Sequence, residues 1–378
     1  MSVAPAATGV RPRARSLRSI ACSLLALLCA MAAVAGAASA PATASAPRDL
    51  GTAITTDIWH LAAAPASAAP APAAGVTSMF QATDNTGASM DGLDIIVNPV
   101  DPRTYLGTYH VNLGPGRFAL RLAASKDLRT WRMIADLDAA GGGMGTLRAL
   151  PGGGFLLAYE AQEPTRSDGK VDSSVRLRYY RDPVSLIRGT PTEERTLPRR
   201  LSTTNEGTPD FRAIAWRGSL ATSVIKLGFH YLDHGKSTAR RTLPVDREAR
   251  GTLAANRWSA VPDTSVDRAL TRMGFKGNHG GRRQFAVPGG HSWRVYEAQR
   301  YVNVTSSWRL LLYDVTARTW NVLRVKTPGG STAFANPTVS LLPSPRSASA
   351  SAVVMTTFVP TAGAGAGESG EAISYLDL

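Results

Sequence analysis

Five segments of this chain repeat one design: a small-residue turn, an apolar strand, a Gly/Pro hairpin and a second strand. Such a repeat constrains the fold more than composition does, because each unit must bury its apolar face against the next. The segments open at Met90-Asp-Gly-Leu-Asp-Ile, Gly143-Met-Gly-Thr-Leu, Asn205-Glu-Gly-Thr-Pro-Asp, Asn278-His-Gly-Gly-Arg-Arg and Ala335-Asn-Pro-Thr-Val. Their anchors Gly92, Gly145, Gly207, Gly280 and Asn336 lie 53, 62, 73 and 56 residues apart. That period suits a four-stranded antiparallel blade with its loops, and five units fill residues 76–378. The expected fold is all-β, a five-bladed β-propeller of four-stranded antiparallel blades. The last unit ends at 373–378, one strand short, so a strand near 76–81 or near 54–60 is expected to complete it and close the ring. A pair of β-sandwiches would not produce the period. The longest amphipathic helical stretch is Asp263 to Met273.

Residues 1–40 read as a signal peptide. Arg11, Arg13, Arg15 and Arg18 precede the apolar run Ile20 to Val34, and Ala38-Ser39-Ala40 is a small-residue cleavage site. An uncleaved anchor over 19–38 is the alternative. Residues 41–75, mostly Ala, Pro and small polar residues, read as a linker that cannot offset its own ordering entropy. Within it, the island 54–61 with Trp59 could dock on the domain that follows. Both cysteines, Cys22 and Cys29, leave with the signal, which excludes thiol catalysis and thiolate metal sites in the mature chain. The formal charge of +14 falls to +10 once those four arginines are removed. No basic run is interleaved with aromatics, so nucleic acid is not an expected partner. The expectation is a secreted monomer, extracellular or in the cell envelope, with no membrane contact after cleavage.

In a propeller, one rim gathers the starts of first strands and the ends of second strands. Starts supply Asp91, Asp94, Glu206, Asp210, Asn278, His279, Arg282 and Asn336. Ends supply Tyr109, His110, Glu160, Gln162, Glu163, Lys226, Glu297, Gln299 and Arg300. Tyr-Glu-Ala-Gln occurs twice, at Tyr159 and Tyr296, in the same place of its unit. From these the expected substrate-binding set is Tyr109, His110, Glu160, Gln162, His279, Arg282, Glu297 and Gln299.

On these residues the chain resembles the five-bladed propeller glycosidases of glycoside hydrolase family 43 and its clan relatives. Asp91-Gly92 stands where that family has its general base, and Glu206-Gly207-Thr208-Pro209 looks like the motif whose Glu is the general acid. His279 matches a histidine that in many members stands over the channel near an ion or water. Ser125-Lys-Asp-Leu-Arg-Thr-Trp131 resembles a first-blade turn of the family, built by Asp127 on turn amides with Trp131 between blades. The family's third acid opens the second blade, where this chain has Gly143-Met144-Gly145-Thr146; Glu160 or Asp94 could substitute. The resemblance implies a glycoside hydrolase acting through two carboxyl groups, Asp91 as base and Glu206 as acid. It requires no cofactor, although calcium near the axis is a family possibility. Two further readings use the same rim: a non-catalytic, lectin-like carbohydrate binder, or an anionic-glycan site lined by Arg148, Arg212, Arg282 and Arg300.

Overall fold

The computed structural model describes residues 76–377 apart from 115, 168, 235–243, 287–291 and 348. The signal peptide, the linker and the Trp59 island lie outside the described residues. Strand β1 (Val76–Met79) precedes blade 1, which consists of β2 (Asp91–Val97), β3 (Tyr105–Gly114), β4 (Arg117–Ser125) and β5 (Arg132–Asp138). Blade 2 is β6 (Gly142–Ala149), β7 (Phe155–Gln162), β8 (Ser173–Tyr180) and β9 (Glu193–Thr196), with α1 (Pro183–Ile187) between its outer strands. Blade 3 is β10 (Glu206–Ala215), β11 (Val224–Asp233), β12 (Val245–Ala254) and β13 (Arg257–Pro262), and α2 (Thr264–Arg272) follows it. Blade 4 is β14 (His279–Ala286), β15 (Ser292–Gln299), β16 (Trp308–Asp314) and β17 (Thr319–Val322). Blade 5 is β18 (Ala335–Pro343), β19 (Ser351–Val359) and β20 (Gly370–Asp377), and β1 adds to β20 as its fourth strand.

All five sheets are antiparallel and four-stranded, so the fold is a five-bladed β-propeller. The ring closes by pairing Val76 with Leu376 and Met79 with Ile373, the first of the two closures expected. Burial on both faces explains the near-continuous apolar runs of the inner and second strands, since each sheet is sandwiched between neighbours. Four seams between blades are filled by apolar clusters with members from both sides. Leu120, Phe155 and Tyr159 join blades 1 and 2, and Leu156, Phe211 and Phe229 join blades 2 and 3. Phe285, Trp293 and Met355 join blades 4 and 5, and Leu93, Trp131 and Val354 join blades 5 and 1. The turn from Ser125 to Trp131 is built as expected: Asp127 accepts the amides of Arg129 and Thr130, and Trp131 is buried.

One irregularity positions everything at the rim. Each inner strand bulges just after its start, where the register slips between Asp91 and Asp94, Gly143 and Thr146, Gly207 and Asp210, Gly281 and Arg283, and Ala335 and Thr338. Four of these bulges hold a residue with positive φ: Gly92, Met144, Thr208 and Asn336. A bulge removes an amide from the ladder and re-aims the side chains beside it, so each needs a substitute acceptor.

Candidate active site

At four of the five bulges the substitute acceptor is a glutamate carboxyl of the preceding blade. Glu371 accepts Gly92 N at 3.0 Å and Leu93 N at 3.2 Å, and Glu160 accepts Thr208 N at 3.2 Å. Glu248 accepts Gly281 N at 2.7 Å, and Glu297 accepts Asn336 N at 2.5 Å. At the remaining junction, between blades 1 and 2, Thr108 Oγ1 donates to Gly145 O at 3.1 Å instead. The repeated Tyr-Glu-Ala-Gln therefore has a structural origin. Its glutamates latch one blade to the next, and its tyrosines are buried. Its glutamines tie loops, Gln162 taking the amide of Phe118 at 2.9 Å and Gln299 that of Asn278 at 3.3 Å.

At the level of the bulges, the second strands present His110, Glu160, His230, Glu297 and Phe358 opposite Asp91, Gly143, Gly207, Gly280 and Ala335. At Gly207 and Gly280 a small residue is needed because the second-strand side chain of the preceding blade leans over it. A Cβ on Gly207 would overlap the Glu160 carboxyl, and one on Gly280 would overlap the His230 ring. Asp91 is the exception in this ring, a carboxylate where the other blades carry Gly or Ala. It takes a hydrogen bond from Ser89 Oγ, and burial raises its pKa.

Arg282 occupies the centre. It is 2% exposed, its Nη1 lies 2.9 Å from Met144 Sδ of blade 2, and its buried Nε has no partner among the described residues. Its charge is felt by groups of all five blades: Asp94, His110, Glu160, His230, Glu297 and Glu371. Burial with this cation nearby pushes His110 and His230 down to about 3, so both are neutral at neutral pH. Carboxyls move the other way. Burial raises Glu160; burial and the Glu160 charge push Asp246 up to about 6. Glu297 is pushed up to about 7 by burial, with the Asp246 charge adding to it. Glu371 rises well above the usual range through burial and the Asp91 charge. Asp91, Glu160 and Asp246 remain partly exposed, so they are the carboxyls a ligand at the mouth can reach. An ion chain links the inner strands of blades 1 to 4: Arg283 to Asp94, Asp94 to Arg148 (3.3 Å), Arg148 to Asp210 (3.2 Å), Asp210 to Arg212 (3.0 Å) and Arg212 to Glu248 of β12 (2.8 Å).

Several expectations are corrected by this geometry. Glu206 does not face the axis. It is 2% exposed, and its Oε1 accepts the backbone amides of Arg200 (2.7 Å), Leu201 (2.5 Å) and Ser202 (3.2 Å), which makes it the anchor of the loop before β10. Tyr109 is buried with its hydroxyl on Asp84 at 2.6 Å, and His279 is buried between Asp267 of α2 (2.7 Å) and Arg247 (3.0 Å). Gln162 and Gln299 are committed to loops, Arg148 and Arg212 to the ion chain, and Arg300 lies over the Phe275 ring, so these arginines do not converge with Arg282 as an anion site. Lys226 lies near the start of β11 rather than its end, on the opposite rim. Of the expected groups, Asp91, His110, Glu160, Arg282 and Glu297 do meet at the mouth. His230, Asp246 and Glu371 join them unannounced. His230 was legible in principle, since it occupies the place in blade 3 that Glu160 and Glu297 hold in theirs. Among the described residues, no three His, Cys, Asp or Glu side chains form a group able to hold a metal ion.

No protein-family model matches the sequence, and no curated protein matches it. Solved structures do. In fold the chain resembles the five-bladed propeller glycosidases. A family 117 glycoside hydrolase of the marine bacterium Zobellia galactanivorans superimposes with a TM-score of 0.47 at 10% identity, over 80% of this chain and 90% of that one. A GH43_1 enzyme of Xanthomonas citri gives 0.45 at 11% identity, over 85% and 93%. An N-acetylgalactosamine deacetylase of F. plautii, in complex with blood group B trisaccharide, gives 0.47 at 12%, over 81% and 94%.

Proposed function

We propose that the chain is an exported glycoside hydrolase whose axial mouth cleaves a bond in an oligosaccharide or polysaccharide. The observation that carries this reading is the pairing of carboxyls on opposite sides of the mouth. On one side Asp91 of blade 1 stands beside Glu371, which holds a proton far above the usual range, leaving Asp91 as the ionised member. On the other, Asp246 of blade 3 stands beside Glu160 and keeps its proton up to about pH 6. Neighbouring carboxyls that cannot both ionise divide the acid and base roles, and glycoside cleavage needs one of each. Asp91 is assigned as the base or nucleophile and Asp246 as the proton donor, with Glu160 sustaining the proton on Asp246. Arg282, buried beneath these carboxyls, sets the charge of the mouth, and the half-buried ring of Phe358 offers a face to the sugar's C–H groups.

The experiment is release of reducing sugar from a panel of polysaccharides and aryl glycosides by wild type and Asp91→Asn. Loss of about a hundredfold or more in rate is expected for the variant. Equal rates would overturn the assignment. A second reading, carbohydrate binding without turnover, is favoured by Gly143 and Gly207, which leave the second and third inner strands without a carboxyl at the level of Asp91. It predicts sugar binding by wild type with no product from any member of the panel.

A further inference from the structure

Four seams of the ring are filled from both blades, but the seam between blades 3 and 4 is filled from one side only. Its apolar cluster consists of Val266 and Leu270 of α2, Phe275 and the blade 4 residues Tyr296, Ala298 and Leu311, with no blade 3 strand residue among the described residues. Facing it across the gap is a cleft of about 710 Å3. Arg212 of β10 and Arg294 and Tyr296 of β15 line it on the inner side, and the start of β11, the outer strands of blade 3, α2 and the β16–β17 turn line the rest, so it lies between the blades and shares none of Asp91, Glu160, Asp246 or Arg282 with the axial mouth.

The cleft is built for negative charge. Lys226 and Arg250 reach it from blade 3, Arg272 from α2 and Arg318 from the β16–β17 turn. All four are exposed, and among the described residues none has an ion-pair partner. Deeper in, Arg294 gives Nη1 to the Tyr296 hydroxyl at 2.9 Å and Nη2 to Gln284 at 2.7 Å, while its buried Nε has no partner. Among the described residues lining the cleft, Glu248 and Asp263 are the acids that oppose these cations, and Glu248 is already held by Arg212 and the Gly281 amide. One wall is aromatic: the Trp320 ring lies 4.7 Å from both Tyr296 and Tyr313. Guanidinium forks match carboxylate and sulfate oxygens, and an aromatic face packs on the apolar side of a sugar ring. A cleft of this size admits a few sugar rings and excludes a nucleic-acid duplex.

We propose that the cleft between blades 3 and 4 binds an anionic saccharide, a chain bearing carboxylate or sulfate groups, at a site separate from the axial mouth. The proposal does not depend on the mouth being hydrolytic. It is tested by affinity electrophoresis of the full chain through gels containing polygalacturonate, a sulfated galactan or neutral arabinan, beside the exposed double variant Arg250→Ser/Arg318→Ser. Thermal melts check that the variant is folded. Wild type should be retarded by an acidic polysaccharide and released by salt, with affinity at least about tenfold weaker in the variant. Retardation by polygalacturonate alone assigns carboxylate as the recognised group, and by the galactan alone sulfate. Equal retardation of both proteins in every gel, retardation by arabinan as strong as by the acidic chains, or tighter binding to a single-stranded oligonucleotide than to either acidic saccharide would overturn it.

Discussion

Replacing Glu206 with Gln separates a structural anchor from a proton donor. In the structure its Oε1 gathers three amides, those of Arg200 and Leu201 at 2.7 and 2.5 Å and that of Ser202 at 3.2 Å. Gln keeps an acceptor oxygen in the same place but removes the charge. Hydrogen bonds to a charged acceptor stabilise by about 1 kcal/mol more than neutral ones, so losing that margin on the two shorter bonds costs about 2 kcal/mol. In a domain of this size that lowers the melting temperature by roughly 4 °C. Turnover or sugar binding, measured on the folded variant well below its melting temperature, should stay within about twofold of wild type, because nothing removed faces the mouth. A drop of a hundredfold or more with an unchanged melting temperature would refute the argument and return Glu206 to the chemistry that the family resemblance implies for it.

Other outcomes follow from the same packing. Gly207→Ala drives a Cβ into the Glu160 carboxyl and should cost about 2 kcal/mol in chemical denaturation, whereas Gly143→Ala, whose Cβ would meet only Phe118 at 3.9 Å, should stay within about 0.5 kcal/mol. Glu297 titrates near 7 in the folded chain against an ordinary value of 4.5, so the folded state binds more protons between those values. Its contribution is then fully present below about pH 4.5 and lost as pH rises through 7. Melting temperatures of Glu297→Gln relative to wild type should accordingly improve from pH 4.5 to 7; a difference that is flat in pH would contradict the burial argument. Arg282→Met removes the central cation, so the His110 and His230 resonances should titrate at higher pH in NMR than in wild type.

The architecture was legible because it rests on local patterns that recur. Turn glycines, apolar runs and a sixty-residue period mark five blades, and the missing fifth-blade strand points to the closing role of Val76–Met79. The helix after blade 3 was equally plain from the period of 263–273. The site was less legible because propellers repeat polar residues for structural reasons too. Glu160 and Glu297 recur because each accepts a bulge amide of the next blade, and that recurrence resembles a functional motif. Glu206 misled in the opposite way: its flanking Gly-Thr-Pro fits a catalytic pattern, but strand alternation turns its carboxyl toward the preceding loop. Asp246 and Glu371 sit on third strands, where reading only first and second strands cannot find them. His230 was hidden by the length of the hairpin before it, since β11 begins at Val224 rather than near Leu220.

The central claim is that two carboxyls across the axial mouth divide acid and base work, and Asp246 carries its most direct test. The measurement is kcat/KM against pH for wild type and Asp246→Asn, on one glycoside with a poor leaving group and one with an activated aryl leaving group that needs no proton. Wild type should lose rate on the poor substrate as pH rises through about 6, where Asp246 releases its proton. The variant should lose about a hundredfold or more on that substrate, retain most of its rate on the activated one, and show no such limb on either. Equal losses on both substrates, or a basic limb that persists near pH 6 in the variant, would contradict the account.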